Sequence, residues 1–242
     1  MQLDKMTWPE VETYLKTNKK IIIPVGSTEQ HGPNGIIGID YLTAQSIAIE
    51  AGKRTQTIVA PALAYGMALH HMGFPGSAAF KPSTYLQILV ELFSSFAKHG
   101  FSQIHIVNGH GGNIPTLQAA FSETLNIYPQ LSFQLSNWWV LKEVVEYENE
   151  HFGKHNGFHA TCGEISVSMY SHPEGYSAVR EWSFFETPDK YSWPLSPEKF
   201  RETFPDGRMG SDPRLANENH GKRLFDIASR SIAAKISFDS EK

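Results

Sequence analysis

Along the first two-thirds of the chain, short apolar runs alternate with longer amphipathic segments, and few folds accept that alternation. The runs are "KIIIPV" (Lys20–Val25), "TIVAPAL" (Thr57–Leu63), "SQIHIVNG" (Ser102–Gly109) and "LSFQLS" (Leu131–Ser136). Between them, "DYLTAQSIAIEAG" reads as a helix opened by Asp40 and closed by Gly52. "KPSTYLQILVELFSSFAKHG" reads as another, with Pro82 near its start and Gly100 at its end. "NIPTLQAAFSETLNIY" is a third, with Ile114, Leu117, Phe121 and Leu125 spaced for one face. Short links between strands and helices predict an α/β fold whose parallel sheet is covered by helices on both faces. From about His172 to Pro213 the periodicity stops and Pro, Gly, Trp, Phe and Tyr accumulate. That composition is too aromatic for a disordered linker and suits a lid or an oligomer contact. Its stretch "REWSFFETPDKYSW" (Arg180–Trp193) is expected to pack on a neighbouring subunit or over the mouth of a site. A last helix is expected over about Glu218–Ile236.

The chain has 242 residues, 40% of them hydrophobic, enough for the core of one domain spanning 1–242. Its net charge of -4 and scattered Lys and Arg give no nucleic-acid footprint. No apolar run reaches the ~20 residues of a membrane span, and the N-terminus lacks the pattern of a secretory signal. Cys162 is the only cysteine, which excludes an internal disulfide and fits a reducing, cytoplasmic setting.

Polar side chains gather just past two of the expected strands, where parallel sheets bind ligands. "STEQHGPNGIIGID" follows the first and carries Glu29, His31 and Asp40; "NGHGGN" follows the third and carries His110. The glycines do not form a dinucleotide loop, because the third position of G-x-G-x-x-G is Ile114. No G-x-S-x-G elbow is present either. A third cluster, "HNGFHATCGEIS" (His155–Ser166), holds His159, Cys162 and Glu164. Each acid has a plain structural role open to it: Thr161 and Glu164 match a capping box, and Asp40 suits an N-cap. Together Glu29, His31, Asp40, His110 and Glu164 form a nitrogen–oxygen set suited to one or two ions such as Zn, Mn or Fe. Without a thiolate framework such a set fits a catalytic centre better than a closed structural zinc. His70 and His71 are placed to face a substrate, His105 reads as structural, and Trp138 and Trp139 suit either a pocket wall or the core. Two other readings stand beside this one: a cysteine amidase built on Cys162, and a ligand-binding α/β protein with a degenerate metal site.

The motifs "PVGSTEQHGPNGIIGID", "HHMGFPGS", "NGHGGN" and "GFHATCGEISVSM", with the closing "GSDPRLANENHGKRLF", together resemble the creatininase family of metal-dependent amidohydrolases. The resemblance runs in order along nearly the whole chain. It implies a three-layer α/β/α fold, two divalent ions per subunit, and a homo-oligomer, commonly a hexamer built from dimers. It carries Glu29, Asp40 and His110 onto one ion, and His31 and Asp40 onto the other, with Asp40 bridging. His159 matches the family histidine five positions before a glutamate, here Glu164. Creatinine-hydrolysing members carry a metal-binding glutamate where this chain has Gly112, so the resemblance implies that Glu164 supplies the missing carboxylate. The expected reaction is hydrolysis of a non-peptide C–N bond, in a small linear or cyclic amide or formamide, by a water that two ions activate. His159 would protonate the leaving nitrogen, and creatinine is expected to be a poor substrate.

Overall fold

β1 (Lys20–Val25) is buried along its entire length, and its alternation divides the molecule into layers. Ile21, Ile23 and Val25 face one side, where they meet Ile104 and Ile106 and the helices α3 (Pro82–Lys98) and α4 (Ile114–Ile127). Ile22 faces the other side, toward α2 (Ile39–Thr55), α5 (Lys142–His151), α6 (Cys162–Ser171) and α8 (Glu218–Phe238). The result is the expected three-layer α/β/α arrangement. The structure, a computed structural model, describes residues 1–176, 187–188 and 190–238. Among these, no helix is long and apolar enough to cross a membrane.

The sheet has four parallel strands in the order β2-β1-β3-β4, with β2 at Ile58–Val59, β3 at Gln103–Asn108 and β4 at Ser132–Asn137. The chain leaves β1 toward one edge and later places β3 on its opposite side, so the strand order reverses between β1 and β3. Parallel sheets bind ligands at such a point. The second strand is shorter than its apolar run. Pro61 has no N–H to give, and past it only an isolated bridge, Val25 to Leu63, continues the pairing. Pro24 of β1 faces this interruption, its carbonyl accepting from Leu63 N–H, so its own missing donor costs the ladder little.

Several boundaries differ from the sequence reading. α2 begins at Ile39 behind Gly38, so Asp40 lies within the first turn and is not the N-cap. The helix also runs past Gly52 to Thr55. Gly52 is there for closeness: a Cβ would stand 2.4 Å from Val59 Cγ2. In α4 the buried stripe is Thr116, Leu117, Ala120 and Thr124, and Leu125 is exposed. Three helices have no counterpart in the sequence reading: α1 (Trp8–Tyr14), opened by a Thr7–Glu10 capping box, α5 (Lys142–His151), and α7 (Pro197–Thr203), capped by Ser196. α7 buries Phe200 within the segment that lacks periodicity.

Candidate metal centre

Val25 and Asn108 pair at the carboxyl ends of β1 and β3, so the loops that follow them start side by side. Gly26 and Gly109 let those loops close onto α2: a Cβ would stand 2.3 Å from Tyr41 N at Gly26 and 2.0 Å from Asp40 O at Gly109. The asparagines of "NGHGGN" staple the loops. Asn108 accepts from His110 N–H and donates to His110 O, while Asn113 donates to Gly26 O and accepts from Met67 N–H. Residues some seventy positions apart in sequence thereby meet.

Glu29, His31, Asp40 and His110 are buried, and their polar atoms converge. His110 Nδ1 is 3.2 Å from Glu29 Oε2 and 3.2 Å from Asp40 Oδ2. His31 Nε2 is 3.0 Å from Asp40 Oδ1. The opposite nitrogen of each ring reaches a main-chain carbonyl, which can only accept: His110 Nε2 donates to Met67 O at 3.0 Å and His31 Nδ1 to Glu29 O at 3.2 Å. In the neutral rings the inward nitrogens are therefore bare lone pairs facing carboxylates. Glu29 Oε1 and Oε2, His31 Nε2 and Asp40 Oδ2 have no aligned hydrogen bond among the described residues. Buried acceptors aimed at one another need a proton or a metal ion between them, and their outward nitrogens are anchored as in metal-ligating histidines.

Three groups of ligand atoms, each within 4.8 Å of one another, can be drawn: Glu29, Asp40, His110; His31, Asp40, Glu164; and Glu29, His31, His159. Asp40 belongs to the first two. Glu164 does both things open to it from sequence. Its Oε2 accepts from Thr161 N–H at 2.9 Å in the capping box, and its carboxylate also stands in the second group. His159 Nδ1 lies 3.8 Å from Glu29 Oε1.

The electrostatics follow from burial and crowding. Burial alone would raise the Glu29 carboxyl, but His110 and His71 beside it hold it well below the usual range. Burial disfavours the His31 cation, yet Asp40 outweighs it and pushes this imidazole up to about 9. His159 goes the other way: burial, with His71 and His31 adjacent, keeps it neutral.

His70 and His71 both line the cavity above the cluster, and His71 also sits against the carboxylates, with Nε2 3.1 Å from Glu29 Oε1. Gln30 was overlooked because it lies between two ligands in "STEQHG". His105 is structural, bonded to Gln134 at 2.7 Å. The two tryptophans divide: Trp138 is fully buried in the core, and Trp139 lines the cavity above the cluster. That cavity, about 480 Å³, is walled by Met67, His70, Trp139, Phe158, Tyr191 and Trp193, with Glu29, Asp40, His110, His159 and Glu164 at its polar end. Tyr191 and Trp193 thus stand at the mouth of the site; positions 180–186 and 189 of the same aromatic stretch lie outside the described residues. Cys162 does not suit nucleophilic attack. Burial pushes its thiol up to about 12, and Sγ donates to the His155 and Asp212 carbonyls, each at 3.1 Å.

A three-layer α/β sheet with a histidine–carboxylate cluster at its switch point defines a class of metal-site proteins. Within that class the chain belongs to the creatininase family, whose model, described as creatinine amidohydrolase, matches residues 4–236. The 3-dehydro-scyllo-inosose hydrolase of Thermotoga maritima is 31% identical over 173 residues, 70% of this chain and 55% of that protein. A mycofactocin precursor peptide peptidase of Mycolicibacterium smegmatis is 40% identical over 106 residues, 41% of this chain and 42% of that protein. The chain thus spans about half the length of these curated relatives. A crystal structure of creatinine amidohydrolase superposes with a TM-score of 0.82 at 19% identity, over 98% of this chain and 97% of that one, which shows the shared fold. Other creatininases of this fold are a Zn–Zn form and an Mn form.

Proposed function

We propose that this chain, acting as one domain, hydrolyses a small linear or cyclic amide or formamide with two divalent ions. One is held by Glu29, Asp40 and His110, the other by His31, Asp40 and Glu164. The observation that carries this reading is the sharing of Asp40 between two convergent ligand groups. A carboxylate has two oxygens and can serve both. The bound ions would polarise the amide carbonyl and acidify a water. His159 takes that water's proton and delivers it to the departing nitrogen, a task its place at the wall of the cavity allows. The aromatic walls seat the acyl part of the substrate and exclude bulk water. No Lys or Arg lines this cavity among the described residues, which favours an uncharged amide over an anionic one.

A peptide amide is the second reading. The 40% identity to a peptide peptidase favours it, as does a cavity within the size range that holds drug-sized ligands. The chain is also proposed to work as a homo-oligomer, since Phe158 and Trp193 are exposed beside the mouth.

The test combines metal analysis with a substrate screen. Protein reconstituted with zinc or manganese should hold two ions per chain and turn over at least one of a panel of small amides, formamides and short peptides. Asp40→Asn should lose ions and activity while keeping its far-UV circular dichroism. Full turnover by the metal-free protein would overturn the proposal.

A further inference from the structure

Gln30 lies between two candidate ligands, yet its side chain points away from them into a buried network. Its carboxamide orientation is set by main-chain groups whose roles cannot change. Oε1 accepts from Gly32 N–H at 2.8 Å, and Nε2 donates to Gly207 O at 2.9 Å. A flipped amide would oppose donor to donor and acceptor to acceptor. The packing allows no slack, since a Cβ on Gly207 would stand 1.8 Å from Gln30 Oε1.

Two histidines meet this group. His159 Nε2 is 2.8 Å from the Gln30 main-chain carbonyl and 3.0 Å from Gln30 Nε2. A carbonyl only accepts, so His159 carries its proton on Nε2. That nitrogen cannot then accept from the amide. The amide has two hydrogens; one goes to Gly207, and the other goes to His71 Nδ1 at 2.9 Å. His71 Nδ1 is thus an acceptor, and its proton resides on Nε2, 3.1 Å from Glu29 Oε1.

We propose that Gln30 is a positioning residue that sets the ring protonation of both histidines, turning His71 Nε2–H to Glu29 and leaving His159 Nδ1 bare toward the centre. The main-chain carbonyl governs His159 and the side chain governs His71. The nitrogen of His159 that takes and returns a proton is then Nδ1, while Nε2–H stays on the carbonyl throughout. This last role rests on the hydrolytic reading above; the tautomers do not.

Long-range ¹H–¹⁵N correlation spectra of the full chain labelled at histidine, metal-free and zinc-loaded, read the tautomers without turnover. Failure of this assignment and absence of amide hydrolysis are therefore separate results. Both His71 and His159 should show protonated Nε2. In Gln30→Glu, a carboxylate faces His71 Nδ1 and cannot donate, so His71 should gain a proton there while His159 keeps its wild-type pattern. Zinc affinity should fall by up to about 10-fold, because His71, 3.1 Å from the candidate ligand Glu29, then carries a charge that competes with the ion. Should Gln30→Glu fail to fold, Gln30→Met removes the donor at similar volume, and His71 should then lose its single, fixed tautomer. A wild-type spectrum with His159 protonated on Nδ1 alone would overturn the proposal. So would a folded Gln30 variant with an unchanged His71.

Discussion

Gly112 occupies the position where creatinine-hydrolysing relatives are expected to carry a ligand, and the structure shows why no side chain fits. A Cβ there would lie 2.5 Å from His110 Nε2 and 2.5 Å from Met67 O, the two ends of one hydrogen bond. Ordinary carbon contacts are about 3.5–4.0 Å, so Gly112→Ala must part that pair by on the order of 1 Å. The Gly112 backbone is not left-handed, so the cost is steric. Loss of the bond contributes about 1 kcal/mol, and overpacking about 1–3 kcal/mol. A total near 3 kcal/mol corresponds to a Tm lower by on the order of 10 °C in a chain of this size. The same shift turns His110 Nδ1 away from Glu29 and Asp40, so metal affinity should fall about 10–100-fold. Thermal unfolding of the metal-free protein and metal content after dialysis measure the two effects. Gly112→Glu should behave no better, because its carboxylate starts from the same obstructed Cβ. A Gly112→Ala protein with unchanged Tm and full metal content would refute the steric account of this site.

Glu164→Gln keeps the capping box, since glutamine also serves at that position, and should unfold within about 1 kcal/mol of wild type. It should nonetheless lose the ion shared by His31 and Asp40, as read by metal analysis. Cys162→Ala should retain activity, and the native thiol should resist alkylation at pH 8, because it stays protonated below about 12; rapid labelling of the folded protein would contradict this. Glu148 is buried, and desolvation, aided by the Glu164 charge, pushes its carboxyl up to about 8. Its folded form holds a proton that the unfolded chain releases near 4.5, so Glu148 costs stability as pH climbs from that value to about 8. Relative to wild type, metal-free Glu148→Gln should therefore gain stability across this window and level off above it, as followed by urea unfolding.

Local chemistry alone specified a good deal of this protein. β-branched runs, helix caps and the Gly and Pro boundaries depend on neighbours in sequence, and they indicated four strands in nearly their right places and the long helices between them. The motifs after the first and third runs pointed to Glu29, His31, Asp40 and His110, because loops at those strand ends must converge on a parallel sheet. Periodicity could not choose between neighbouring faces of α4, where Leu125 is exposed and Thr124 is buried. Nor could sequence separate Trp138 from Trp139, adjacent residues that a 3-10 turn sends to the core and to the cavity. Only the tertiary structure joined Glu164 to the cap and the cluster at once, brought His71 against Glu29, and made Gln30 the partner of two histidines. Those roles depend on direction and distance between side chains remote in sequence, and a hydrogen-bond partner forty or more positions away leaves no local signature.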